Sequence, residues 1–67
     1  MNNILTTREK EIFELLVENN TTKEIADRLK ISEKTVRNHI SNVMQKMGTK
    51  SRAATAIELI KINEIKM

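Results

Sequence analysis

The side chains best equipped for chemistry lie between Glu33 and Lys50. Wound as an α-helix, residues 33–47 place Val36, Ile40, Val43 and Met47 on one stripe, at the spacing of a buried face. The opposite side then presents Lys34, Arg37, Asn38, Ser41 and Gln45. These side-chain types hydrogen-bond to base edges in the DNA major groove: Arg and Lys to guanine, Asn and Gln to adenine, Ser to either. Thr35, His39, Asn42 and Lys46 fill one flank between the two sides. Polar residues opposite an apolar stripe occur on every surface helix, so the face gains meaning only from its surroundings.

Charge supplies those surroundings. The 67 residues carry twelve Lys and Arg against nine Asp and Glu, a net +3. Met1 to Asp27 holds three basic and six acidic residues, a balance of −3. Arg28 to Arg52 holds seven basic residues against Glu33 alone, a balance of +6, and Ala53 to Met67 is neutral. The modest total thus hides a strongly basic middle, which attracts polyanions such as nucleic acid.

Other chemistries lack their parts. With no Cys there is no disulfide framework and no Cys-based zinc finger, and one His excludes an HExxH site. One Gly cannot build a P-loop or a GxGxxG turn. Phe13, the one aromatic, cannot make the stacking surface of a single-strand binder. His39 reads as a structural or phosphate-contacting residue, and Thr21, Thr22, Ser32 and Ser51 read as helix caps rather than nucleophiles. Glu9, Glu11 and Glu14, beside Arg8 and Lys10, read as members of surface ion pairs. No catalytic residue, metal site or cofactor is expected, and the chain is not expected to be an enzyme. The start lacks a signal-peptide pattern, and no apolar run approaches the ~20 residues of a membrane span. A cytoplasmic location is expected.

Positioning the polar face requires helices, and their punctuation is readable. With no Pro and one Gly the chain has few tight turns, which argues against an all-β fold. The expectation is an all-α, four-helix, helix-turn-helix domain spanning 1–67, with helices at about 7–19, 22–29, 33–47 and 52–62. Thr6 with Glu9 and Thr21 with Glu24 form capping boxes, and Ser32 and Ser51 cap the third and fourth helices. Asn19-Asn20 ends the first helix and Gly48 the third. In the first helix Ile12, Leu15 and Leu16, widened by Phe13 and Val17, face the core, and Ile25, Ala26 and Leu29 do so in the second. The fourth has two apolar stripes. Ala53, Ala56, Ile57 and Ile60 are expected inside; Thr55, Leu59 and Ile62 are expected outside, as a homodimer face that supplements a small core.

These residues carry a family resemblance. Leu5-Thr6-x-Arg8-Glu9-x-Glu11-Ile12-Phe13-x-Leu15-Leu16 resembles the first helix of the LuxR/GerE-type helix-turn-helix DNA-binding domain. Thr21-Thr22-Lys23-Glu24-Ile25-Ala26-x-x-Leu29-x-Ile31-Ser32 is similar to its second helix and turn. Thr35-Val36-Arg37-x-His39-Ile40-x-x-Val43-x-x-Lys46-Met47-Gly48 is similar to its recognition helix, and Lys50-Ser51-Arg52-Ala53 to the entry of its fourth. The likeness runs through residues 5–62. It implies a transcription regulator that binds double-stranded DNA as a dimer through the C-terminal helix, with RNA polymerase as a further partner. It also implies base reading by Arg37, Asn38 and Ser41, base or phosphate contacts by Lys34, Thr35 and Lys46, and a backbone approach by Lys50. Asn19 departs from the family's usual Gly, and Asn can serve there.

Most relatives carry a phosphoreceiver or ligand-binding domain in front. With Met1 just ahead of Leu5, this chain is expected to be of the stand-alone kind, whose members regulate late spore formation; an excised effector domain is the alternative. Two rival functions remain at this stage: a helical adaptor or anti-regulator that ignores DNA, and a sigma-region-like promoter-recognition module.

Overall fold

The computed structural model describes residues 4–66. It contains four helices: α1 (Thr7–Val17), α2 (Thr22–Leu29), α3 (Glu33–Met47) and α4 (Arg52–Lys61). No strand occurs among the described residues.

Every helix begins with the same chemistry. Thr6, Thr21, Ser32 and Ser51 all hold extended backbone, and each side-chain oxygen accepts the amide three residues on. At Thr6 and Thr21 the Glu three residues later returns the bond to the cap's own amide, at 2.9 Å from Glu9 and 2.7 Å from Glu24. Every helix also ends the same way. Asn19, Lys30, Gly48 and Asn63 are left-handed, with φ of 72°, 59°, 67° and 62°. In each case the next amide reaches back five residues to a helix carbonyl: Asn20 to Leu15, Ile31 to Ala26, Thr49 to Met44 and Glu64 to Leu59. These turns stop α1 at Val17 and α4 at Lys61, slightly short of the ends expected at 19 and 62.

The core is one cluster to which all four helices contribute. Ile12, Phe13, Ile25, Val36, Val43 and Leu59 are fully buried, with Ile40 beside them. Leu5, ahead of α1, and Ile65, beyond α4, seal one end. α3 packs against each of the other three helices, which bury Val36, Ile40 and Val43 and half-bury Met47.

The faces of α4 depart in part from the expectation. Thr55 and Leu59, expected on a dimer surface, are completely buried within the protomer. The Thr55 hydroxyl donates to the Ser51 carbonyl at 2.6 Å and meets the Thr49 hydroxyl, so it is fully satisfied inside. Ile57, expected inside, is 54% exposed; Ala53 is exposed too, and Ala56 and Ile60 are half-buried. Ile62, of the expected dimer set, is 42% exposed. The stripe with more apolar residues is not the more deeply buried one; Leu59, fully enclosed in the core cluster, marks the inward face.

Candidate nucleic-acid interface

The Lys30–Ser32 turn joins α2 to α3. Lys30 adopts the left-handed conformation, Ile31 folds back against the core, and Ser32 opens the next helix by accepting the Thr35 amide at 3.0 Å. This short corner sets α3 across α2 with its outer face free. On that face Lys34, Arg37, Asn38, Ser41, Asn42 and Gln45 are all exposed. They form one continuous polar surface backed by the buried Val36, Ile40 and Val43.

Electrostatics on this surface are lightly held. Arg37 lies 3.7 Å from Glu33, one turn earlier, with both side chains about half exposed. Such a pair contributes roughly 0–1 kcal/mol, so the guanidinium is free to exchange it for a stronger acceptor. Thr35 is half-buried and its hydroxyl lies 2.9 Å from that of Ser32, which ties it to the cap. His39 is half-buried on the flank. Lys50 is exposed in the connection between α3 and α4.

Lys46 stands apart from the other candidates. Its ammonium bonds the Glu9 carboxylate at 2.6 Å and the Ile4 carbonyl at 3.3 Å. Glu9 is only 3% exposed while the Lys46 side chain is 37% exposed, so the pair joins an outer ammonium to a buried carboxylate. Burial alone would raise the Glu9 carboxyl; the Lys46 ammonium and the Thr6 amide and hydroxyl outweigh it and hold the group below its ordinary value. The Lys46 ammonium, expected at a base or phosphate, thus already holds a buried carboxylate while its own side chain stays partly exposed. Glu9, expected in a surface ion pair, is instead buried, because it falls between Ile12 and Phe13 on the inward face of α1.

One contact went unforeseen. Arg52, in the first turn of α4, donates from Nη1 to the Thr22 hydroxyl in the first turn of α2, at 3.1 Å. It joins the two helix starts and leaves an exposed cation between them. Its signal in the sequence was its place in the basic block directly after the Ser51 cap.

Comparison with known proteins gives this geometry its context. The family model for bacterial regulatory proteins of the luxR family matches residues 3–59. The chain is 59% identical over 64 residues to the spore germination protein GerE of Bacillus subtilis (strain 168), covering 96% of this chain and 86% of that protein. It is 42% identical over 64 residues to the transcriptional regulatory protein DegU of Brevibacillus brevis, of which it covers 27%. The solved structure of the transcription factor GerE superposes with a TM-score of 0.94 at 52% identity, covering 97% of both chains.

Proposed function

The chain belongs to the luxR family of bacterial regulatory proteins and is a helix-turn-helix, DNA-binding transcription regulator of the GerE type; from that premise we propose that it reads a specific sequence as a homodimer. α3 enters the major groove, with Arg37, Asn38 and Ser41 on base edges and Lys34, Thr35 and Lys50 toward bases or phosphates. The observation that carries this reading is the unbroken exposed face of Lys34, Arg37, Asn38 and Ser41 on a helix whose other side is enclosed.

The homodimer runs through α4, on its outward Ala53 and Ile57 and on Ile62 at its end. Ile57 at 54% exposed is the largest apolar surface that helix offers, and a second copy would bury it. Two copies read half-sites about one helical turn apart, roughly 10 bp. A role in spore formation, contact with RNA polymerase, a cytoplasmic location and a single domain over residues 1–67 complete the reading. The likeness to GerE supports the first of these.

The test is selection from a randomised duplex pool, followed by footprinting of the enriched site. Arg37→Ala is expected to cost roughly 1–3 kcal/mol against that site and to relax one base position. An Arg37→Ala footprint and base preference matching the wild type would remove Arg37 from the reading set.

A further inference from the structure

Among the described residues, one side chain of α3 makes polar ties to anything outside the helix and its cap. Thr35 bonds Ser32, Arg37 bonds Glu33, and only Lys46 reaches another part of the fold. There it meets a prepared acceptor. The Glu9 carboxylate already accepts the Thr6 amide at 2.9 Å, which fixes it to the first turn of α1, and its side chain is 4% exposed. The last turn of the recognition helix is thus fastened to the first turn of α1 and, through the Ile4 carbonyl, to the segment before it.

The rest of the seat of α3 is apolar: Val36, Ile40 and Val43. Apolar burial is non-directional, so this packing supplies no contact with a fixed bond length and angle. A short, charge-assisted bond to a shielded carboxylate depends steeply on distance and angle. Recognition groups must be held to within about 0.5 Å and 10–20° to work.

We propose that Lys46 and Glu9 are positioning residues for sequence recognition: their ion pair sets the axial register and roll of α3, so that Arg37, Asn38 and Ser41 meet their bases, while Lys46 itself contacts no phosphate. This rests on the reading that α3 enters the major groove. Glu9 lets the two roles be told apart, because a buried carboxylate on α1 cannot touch DNA.

The experiment measures the affinity of Lys46→Met, Lys46→Arg, Glu9→Gln and the Lys46→Met/Glu9→Gln double variant. Each is measured on the duplex selected by the wild type and on a random duplex, across a salt series. The temperature is one at which circular dichroism shows the variants folded. Lys46→Met and Glu9→Gln are each expected to lower the ratio of the two affinities about tenfold, equivalent to about 1.4 kcal/mol. The double variant is expected to be no worse than either single one, and the salt slope is expected to stay unchanged. Lys46→Arg keeps the charge but changes its reach, and is expected to lose discrimination severalfold; a phosphate contact would leave it like the wild type.

The proposal is overturned if Lys46→Met weakens all duplexes alike and flattens the slope by about 0.9 while Glu9→Gln is silent, since that describes a phosphate contact. It is equally overturned if the folded variants keep wild-type discrimination, since the pair is then structural only. If Lys46→Met does not fold, Lys46→Arg with unchanged discrimination overturns it alone. A wild-type protein that enriches no sequence overturns the base-reading premise, a result distinct from the others.

Discussion

Glu9 shows how much one side chain can hold. Its carboxylate closes the capping box of α1 and receives Lys46 from α3, all while nearly excluded from water. Its carboxyl lies below the ordinary value of 4.5 in the folded protein, so its contribution to stability is complete above that value and lost as pH falls through the lower, folded-state value. The urea midpoint of the wild type is expected to drop on acidification below about pH 4.5, and that of Glu9→Gln to drop less steeply from a lower start. Parallel acid profiles would show that Glu9 does not carry the effect. Gly48 shows the opposite economy. Its φ of 67° is the left-handed region, yet an added Cβ would meet nothing within 4 Å. Gly48→Ala is therefore expected to cost about 1–2 kcal/mol from backbone strain alone, read as a lower urea midpoint with an unchanged m-value.

At the scale of elements, the start of every helix was legible and the end was not always so. Thr6, Thr21, Ser32 and Ser51 are residue types whose oxygens favour caps, and each does cap. Asn19 and Gly48 are types that accept the left-handed region, and both adopt it. Lys30 has no such preference; the need to turn α3 across α2 imposes the conformation, and nothing local announces it. The buried Thr55 and Leu59 and the exposed Ile57 have a similar origin. Periodicity reveals two stripes but not which one the other helices cover, and Thr55 looks polar until Ser51 and Thr49 are seen to satisfy it. The same limit applies to Lys46: sequence places it on a flank of α3, but only the fold brings Glu9 to it. The corrected faces make paired predictions. Leu59→Ala is expected to cost about 2–5 kcal/mol in denaturant melts, as a core cavity does. Ile57→Asp is expected to leave helicity intact and to yield a monomer in sedimentation. A dimer that survives Ile57→Asp would take α4's outward stripe out of the interface.

The whole molecule is a small core with an uneven charge. At roughly 0.05–0.15 kcal/mol per residue, a chain of this length has on the order of 3–10 kcal/mol to hold it folded, so a second copy would add a sizeable fraction. If the homodimer forms through α4, the melting temperature is expected to rise with protein concentration by mass action, and to lose that dependence in Ile57→Asp. A wild-type Tm independent of concentration over two decades would argue for a monomer off DNA. The charge is divided as the chain is. Glu11 and Glu14 lie on α1 with Glu18 just past its end, while Lys34 and Arg37 lie on α3, Lys50 in the connection after it and Arg52 at the start of α4. A polyanion therefore meets a molecule with a preferred approach, which favours encounters already close to the docked orientation.

The described chain begins and ends in one place. Leu5 and Ile65 are both buried, and the Leu5 amide donates to the Glu64 carboxylate at 3.4 Å. Beside them, the Ile4 carbonyl holds the Lys46 ammonium. Anything joined to either end, whether a tag, a fused partner or a tether to a surface, therefore pulls on a single handle. That handle is one bond away from the last turn of the helix that reads the DNA.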